Sequence, residues 1–282
     1  MGLEEINLEN ADKFVTLVDA DMMENIGRVY YRGMALTDDG GKPQATMIWE
    51  LIHSDDEERD TESRLMQLNA DGDQAKKLFA EYKKDTDENE IRQTSFELAC
   101  EKEREAVFSE NGFTTEMREA KQVTVTVSDI AKLPISKKMK TPKYIRDLSE
   151  LDARVFKRGL LNCLFYGRRE TTEDLNALPM DWFDCDVSCY TETDGRIDGL
   201  LLVHRTARGR LRIELLINVG PEAKKDLAYM LNFTATRVRE KYSDDTEILI
   251  PRNDVSAEKL AAYFFPGLKG EKVLFGSRRE KG

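Results

Sequence analysis

The feature of this sequence that most constrains its fold is a pattern that occurs twice. Residues 68–78 read LNADGDQAKKL, and residues 216–225 read LINVGPEAKK. Each run follows a segment that reads as a β-strand, 63–68 or 211–217, and each opens a segment with the periodicity of an amphipathic helix. One helical stripe of the second copy comprises Leu227, Met230, Leu231, Thr234 and Val238. A strand–loop–helix unit is therefore predicted in each half of the chain.

The order of the surrounding elements also repeats. Turn-forming residues at 38–41 and at 192–195 each separate two alternating segments and predict a β-hairpin before the strand. Downstream of each long helix we predict a strand and then a helix that ends near Gly112 or Gly267, because glycine adopts the left-handed cap conformation. The strands predicted after the long helices are 91–98 and 115–121 in the first copy, and 248–250 and 271–275 in the second. This order predicts an α/β fold with a mixed sheet in each of two tandem units.

The boundary between the copies lies within residues 122–142. Residues 122–127 alternate as a strand that ends the first copy or begins the second, and the symmetry of the two copies favours the second. The lysine-rich stretch 134–142 begins and ends with proline and reads as a linker or as the approach to a helix. We therefore predict domains at 1–121 and 122–282.

Charge is distributed unevenly along the 282 residues. Residues 1–121 carry 15 basic and 30 acidic side chains, whereas the remainder carries 28 and 24, and the overall net charge is −11. The acidic half repels nucleic acid and anionic membranes. The excess of four positive charges in the second half is too small to argue for nucleic acid, so neither partner is expected.

The sequence has neither an apolar run nor a ligand spacing that would indicate a membrane segment or a metal site. No apolar run approaches the roughly 20 residues that cross a bilayer, and the acidic residues 1–5 do not form a signal sequence, so the expected location is the cytoplasm. The four cysteines and two histidines lack the paired spacing of a zinc site, and no metal is expected. His53 and His204 both end a predicted strand and read as surface residues, with a role in a site as the alternative.

Two short motifs carry a resemblance to a known family. Residues 107–113 read VFSENGF, and residues 262–268 read AYFFPGL. Both are similar to the Leu-Tyr-x-x-x-Gly-Phe ending of the last helix in the GNAT N-acetyltransferase superfamily, and the order of elements in both halves resembles the same fold. The resemblance implies two tandem GNAT-like acyl-CoA N-acyltransferase units. It also implies acetyl-CoA as cosubstrate and a small-molecule amine, or another CoA-type ligand, as partner.

The loop before the long helix departs from the family pattern in both copies. Family members have Gln/Arg-x-x-Gly-x-Gly/Ala there, and the backbone N–H groups and helix dipole hold the pyrophosphate of acetyl-CoA. Residues 71–73 of the first copy read Asp-Gly-Asp, which places two carboxylates near an anion, so this copy is predicted to be degenerate and non-catalytic. Residues 219–221 of the second copy read Val-Gly-Pro, in which proline supplies no N–H group.

The resemblance places the cofactor site in the second copy. Lys224 and Lys225 are candidates to compensate for the missing backbone donors with positive charge, and the alternative is that both are solvated helix residues. The residues that the resemblance assigns to CoA binding are Leu216, Ile217, Asn218, Val219, Gly220, Lys224 and Lys225.

Acyl transfer to an amine requires a base for the amine proton and an acid for the leaving group. Glu214 lies about where several family members have a basic glutamate, and Tyr263 lies four residues before Gly267, where the family commonly has a tyrosine acid. Phe108 occupies the corresponding place in the first copy and cannot donate a proton. The alternatives are an ion pair between Arg212 and Glu214 and a core position for Tyr263.

Strict alternation along the second copy's strand assigns its side chains to two faces. The predicted apolar face comprises Leu211, Ile213, Leu215 and Ile217, and the other face comprises Arg212, Glu214, Leu216 and Asn218. Together these patterns predict a CoA-dependent N-acetyltransferase that acts on an unknown primary amine, with its site in the second copy. The alternative is a non-catalytic GNAT-like binding or assembly module that has lost acetyl-CoA binding.

Overall fold

The computed structural model describes residues 2–52, 61–99, 102–133, 140–167, 174–252 and 255–279. His53 therefore lies outside the described residues. The chain divides into two compact units. The first consists mainly of Met1–Ala120 and Glu271–Gly282, and the second consists of Lys121–Arg169 and Leu175–Gly270. Within the described part of the chain, no helix is both long enough and apolar enough to cross a membrane.

The secondary structure follows the predicted repeat. The strands are β1 (Gly2–Glu5), β2 (Tyr31–Thr37), β3 (Pro43–Ile52), β4 (Glu62–Asn69), β5 (Gln93–Ala99), β6 (Thr114–Glu119), β7 (Gln122–Thr126), β8 (Arg146–Asp147), β9 (Cys189–Thr193), β10 (Arg196–Arg205), β11 (Leu211–Asn218), β12 (Glu247–Pro251) and β13 (Lys272–Arg279). The helices are α1 (Ala20–Met23), α2 (Gly72–Glu88), α3 (Lys102–Glu110), α4 (Val127–Lys132), α5 (Ala153–Tyr166), α6 (Ala223–Lys241) and α7 (Val255–Phe264). The predicted hairpins, the strands before the long helices and the long helices themselves are confirmed.

The described strands of the first unit form one mixed sheet in the order β1-β2-β3-β4-β5-β13-β6. Strand β4 runs parallel to β5, which requires the crossover helix α2. Asp38 closes the β2–β3 turn, because its carboxylate accepts hydrogen bonds from the backbone N–H groups of Gly40 and Lys42. The aromatic core under α2 and α3 comprises Trp49, Phe79, Tyr82, Phe96, Phe108 and Phe113.

The described strands of the second unit form a sheet in the order β7-β12-β11-β10-β9-β8. Asp194 and Gly195 both have positive φ, of 53° and 77°, so they form the two-residue turn that joins β9 to β10. Helix α5 covers one face of this sheet, and helix α6 covers the other. The core under α5 includes Phe156, Leu160, Leu200, Leu202, Leu215 and Ile217. The core under α6 includes Met230, Val238, Leu201, Val203, Leu211 and Ile248.

The closing strand of the first sheet comes from the end of the chain. Strand β13 lies between β5 and β6 and is antiparallel to both. The expectation that residues 271–275 close the second copy is therefore wrong. Gly276 suits β13 to this position, because a Cβ atom there would lie 2.2 Å from the ring of Phe96. The alternating pattern of β13 predicts a strand but carries no information about so distant a partner.

Strand β7 supplies the corresponding strand of the second sheet. It is antiparallel to β12, with pairs from Gln122–Pro251 to Thr126–Glu247. Residues 122–126 thus pair within the second unit, as the symmetry of the copies favours. The strand beside β5 and the strand beside β12 therefore both come from segments that do not follow the last helix of their own unit.

Substitution of Gly276 by valine tests the position of β13. A side chain at this position overlaps the Phe96 ring, and overpacking of this kind costs about 1–3 kcal/mol. We expect hydrogen exchange of backbone amides to accelerate in β5 and β6, while the amides of β12 keep their protection. Loss of protection in β12 with β5 unchanged would contradict this assignment of β13.

Candidate active site in the second unit

The two parallel strands at the centre of the second sheet pair over a short distance and then part. In these described strands the pairs are Leu211–Ile248 and Arg212–Leu249, although β11 continues to Asn218. The first unit behaves in the same way, since β4 pairs with β5 from Glu62 to Leu65 and continues to Asn69. Backbone groups of β11 beyond Arg212 therefore border a cleft, which we call the β11–β12 split.

An extra residue interrupts β11 beside this split. Leu215 pairs with Leu202 of β10 and Ile213 pairs with Val203, so Glu214 is left over as a β-bulge. Met66 is the corresponding extra residue of β4, since Leu65 and Gln67 pair with consecutive residues of β3. Both copies thus share the bulge as well as the split.

The bulge reverses which face the side chains of β11 occupy. Leu215 and Ile217 pack in the core under α5, whereas Leu211 packs in the core under α6. The predicted single apolar face of Leu211, Ile213, Leu215 and Ile217 is therefore wrong. One extra residue shifts a period-two pattern to the opposite face of the sheet, and strict alternation cannot reveal it.

Glu214 lies next to a cation in a shielded position. Its side chain is 12% exposed, and Arg212 Nε donates a hydrogen bond to Glu214 Oε1 over 2.5 Å. The ion pair that the sequence left as an alternative is thus present. This charge-assisted hydrogen bond fixes the direction in which the carboxylate points.

His204 is buried beside the same strand. It pairs across β10 and β11 with Arg212, so the two side chains leave the same face of the sheet. The imidazole stacks on Trp182, with ring centroids 4.3 Å apart, and its Nδ1 lies 2.8 Å from the Trp182 carbonyl oxygen. The expectation of a surface position for His204 is therefore wrong, because the short 3-10 helix Met180–Trp182 covers it. Sequence reasoning missed the tight turn at residues 206–210, which sets His204 opposite the strand of Glu214.

Tyr263 lies on α7 and is 79% exposed. Its ring makes an edge-to-face contact with Phe264, with centroids 5.1 Å apart. The alternative of a core position for Tyr263 is wrong. Among the described contacts, none joins Tyr263 to Glu214, and its role as a proton donor stays a prediction.

The loop between β11 and α6, residues 219–222, is hydrogen-bonded by the protein itself. The N–H of Val219 donates to the Asp198 carbonyl oxygen over 2.7 Å, and the N–H of Gly220 donates to Asn218 Oδ1 over 2.9 Å. Pro221 has no N–H group to offer. The backbone donors at positions 219–221 are thus engaged internally or missing.

A buried carboxylate also lies directly under the loop. Asp198 is 6% exposed and accepts a hydrogen bond from the Thr191 hydroxyl, which in turn accepts one from the Asn218 amide. Its other carboxylate oxygen lies only 2.7 Å from where a Cβ of Gly220 would stand. Sequence reasoning missed Asp198, although an aspartate inside an apolar strand is a signal of a special environment.

Acidic side chains surround the start of α6 as well. Lys225, a candidate for compensation, donates to Glu222 Oε2 over 2.5 Å, and this contact raises the pKa of Lys225. Lys224 is exposed, and Asp226 in the first turn is buried. The residues of this loop therefore do not fit the diphosphate of CoA.

The equivalent loop of the first unit is no more suitable. Asp71 and Asp73 are both exposed at the start of α2, where carboxylates oppose an incoming anion. The N–H of Gln74 already donates to the Asp71 carbonyl oxygen. Among the described residues, the two carboxylates of this loop therefore do not fit a diphosphate either.

Comparison with solved structures identifies the fold. A tandem GNAT protein from the clavulanic acid biosynthesis pathway matches with a TM-score of 0.58 at 10% identity, covering 100% of this chain and 99% of that chain. A GCN5-related N-acetyltransferase from Sphaerobacter thermophilus matches with a TM-score of 0.53 at 11% identity, covering 99% and 95%. The L-PGS protein from Bacillus licheniformis matches with a TM-score of 0.50 at 12% identity, covering 99% and 94%. No protein-family model and no curated protein matches the sequence.

These matches extend over nearly the whole chain, so the fold is that of tandem GNAT proteins. The predicted fold class and the resemblance on which it rested are confirmed. At identities of this size, likeness shows the fold alone.

Removal of the Arg212 guanidinium tests whether the ion pair with Glu214 is formed. Arg212→Met leaves a shielded carboxylate without its partner, and we expect a loss of about 2 kcal/mol in the free energy of unfolding. Adding Glu214→Leu to this variant is expected to restore about 1 kcal/mol or more. Urea unfolding of the two single variants and the double variant measures the coupling, and strictly additive losses would show that the pair contributes nothing.

Proposed function

We propose that this protein is an acyltransferase that transfers an acyl group to an amine at the β11–β12 split of the second unit. The observation that carries the proposal is the bulge that sets Glu214, shielded and held by Arg212, beside the strand edge where parallel pairing ends. The tandem GNAT fold supports an acyltransferase at this coarse level.

The bulged strand supplies two of the requirements of acyl transfer. Backbone N–H groups of β11 beyond Arg212 that face the split are placed to donate hydrogen bonds to an acyl carbonyl oxygen, whose negative charge grows as the amine attacks. The Glu214 carboxylate takes the proton that the amine nitrogen loses as the new nitrogen–carbon bond forms. The hydrogen bond from Arg212 orients that carboxylate before the proton moves.

The remaining requirement is a proton for the group that leaves. Tyr263 is the candidate donor, because it lies on α7, the helix that follows β12, and its hydroxyl is accessible. The bond between the acyl carbon and the leaving group breaks as the tetrahedral adduct collapses, and the departing atom takes the tyrosine proton.

The acyl donor must match the groups that the second unit offers. Acetyl-CoA is the donor that the GNAT resemblance implies, but the internal hydrogen bonds of residues 219–222 argue against a diphosphate held at the start of α6. Leu216 and Ile217 of β11 are the residues that the resemblance assigns to this donor. We therefore propose a thioester donor that is recognised through the split and not through the loop.

A second candidate function is a non-catalytic binding or assembly module. The observation that favours it is the same loop, in which Asn218 and Asp198 satisfy the donors that a cofactor would otherwise take. Under this alternative the fold persists without chemistry, and Glu214 serves only to pair with Arg212.

Turnover with a conservative variant separates the two candidates. Glu214→Gln keeps an oxygen for the Arg212 hydrogen bond but cannot take a proton, so we expect the rate of acyl transfer to fall about 100-fold. The measurement is thiol release from acetyl-CoA and from acetyl-pantetheine with a panel of primary amines.

The matched control is Glu240→Gln, which removes an exposed carboxylate at the far end of α6. It is expected to leave turnover unchanged. Equal rates for the wild type, Glu214→Gln and Tyr263→Phe would contradict the assigned roles. Absence of turnover in the wild type with every donor would favour the non-catalytic module.

A further inference from the structure

Asp198 puts a negative charge beside the loop at residues 219–222. The register of β10 on β9 shifts by one residue between Ile197 and Gly199, which leaves Asp198 as the extra residue of another β-bulge. A bulge interrupts the regular alternation of a strand and redirects the side chain of the extra residue. The Asp198 carboxylate is thereby directed against the loop that follows β11.

The corresponding hairpin of the first unit has a neutral residue at its bulge. Gln44 is the extra residue of β3, where the register on β2 also shifts by one. Its side-chain amide donates to Asp38 Oδ2 and to the Lys42 carbonyl oxygen, both over 3.3 Å, and so contacts the β2–β3 turn. A carboxylate at the hairpin bulge is therefore a feature of the second unit, the one that contains Glu214.

The neighbours of Asp198 fix the position of its carboxylate. The Thr191 hydroxyl donates to Asp198 Oδ1 over 2.7 Å, and the Asn218 amide donates to Thr191 Oγ1 over 3.0 Å. A Cβ atom on Gly220 would lie 2.7 Å from Asp198 Oδ2, so glycine is what allows the loop to lie this close to the carboxylate.

The charge of Asp198 is not balanced by an ion pair. Within the residues that the structure describes, no lysine or arginine pairs with it. Arg196, two positions earlier, lies over the Tyr166 ring, 4.6 Å from its centre. Burial is the larger cause of the raised pKa of the Cys163 thiol, about 12, and the charge of Asp198 adds to it. The carboxylate thus acts electrostatically on the groups around it.

We propose, on the basis of the acyl transfer inferred above, that Asp198 restricts the donor to thioesters whose thiol arm carries no diphosphate. A diphosphate at the start of α6 would need the N–H groups of Val219 and Gly220, which already donate to Asp198 and Asn218. It would also lie next to a buried carboxylate, and two like charges at close range repel strongly where solvent is excluded. A neutral thiol arm needs none of these donors and is not repelled.

Calorimetric titration of the full-length protein with two ligands tests this role of Asp198. Pantetheine is a neutral thiol arm, and dephospho-CoA adds a diphosphate and adenosine to the same arm. We expect the wild type to bind dephospho-CoA no more tightly than pantetheine. Asp198→Asn keeps an oxygen for the Thr191 hydroxyl and removes the charge, so the affinity for dephospho-CoA is expected to rise about ten-fold while that for pantetheine stays unchanged.

Asp198→Ser removes the same charge with a smaller side chain and is expected to shift the preference in the same direction. The matched control is Asp244→Asn, which removes an exposed carboxylate beyond the far end of α6 and is expected to leave both affinities unchanged.

Three results would overturn the role of Asp198. They are a wild type that binds dephospho-CoA at least ten-fold more tightly than pantetheine, an unchanged ratio of the two affinities in both neutral variants, and an equal gain in Asp244→Asn. Each of these leaves acyl transfer itself in place. Absence of binding for both ligands in the wild type and in the neutral variants would instead contradict the thioester donor, and with it the proposed function.

Discussion

A single extra residue in the strand before each long helix sets the geometry of both units. Glu214 in β11 and Met66 in β4 have no partner of their own in the neighbouring antiparallel strand. The bulge bends the strand, and the parallel pairing with the next strand ends within two residues of it in both sheets. The bulge lies next to the split. The side chains of the strand therefore change face where its pairing with the next parallel strand ends. The residue at the bulge then decides what the split can do, and only the second unit has an ionisable group there.

Each sheet is completed by a strand from elsewhere in the chain. Strand β13 brings Arg278 and Arg279 into the first sheet, and β7 completes the second beside β12. The acidic and basic halves of the sequence therefore do not correspond fully to the two folded units, because β13 belongs to the first unit.

Local patterns predicted most of the fold, whereas long-range pairing escaped them. The pair Asp194-Gly195 predicted the β9–β10 turn, and the apolar stripe that begins at Leu227 predicted helix α6. Both signals depend only on residues that are close in the sequence. The partner of β13 depends on the fit of Gly276 against Phe96, which lies 180 positions earlier in the sequence. An alternating sequence gives no sign of the bulge at Glu214. The predicted apolar face therefore joined Leu211 to Leu215 and Ile217, which lie on the opposite side of the sheet. At the site, the resemblance to a known family selected Glu214 and Tyr263. The internal hydrogen bonds of the loop at residues 219–222 were not predictable from the sequence, because they depend on the positions of Asn218 and Asp198 in the fold.

In the proposed mechanism, the second unit binds an acyl donor through the bulged strand while the loop at residues 219–222 stays closed by its own hydrogen bonds. Amide NMR during titration with CoA distinguishes these two regions. We expect shifts at residues 213–216 of β11 and 248–250 of β12, with the amides of Val219 and Gly220 unmoved. Shifts that are largest at Val219 and Gly220 would show that the diphosphate displaces Asn218 and would contradict the claim, as would the absence of any shift along β11.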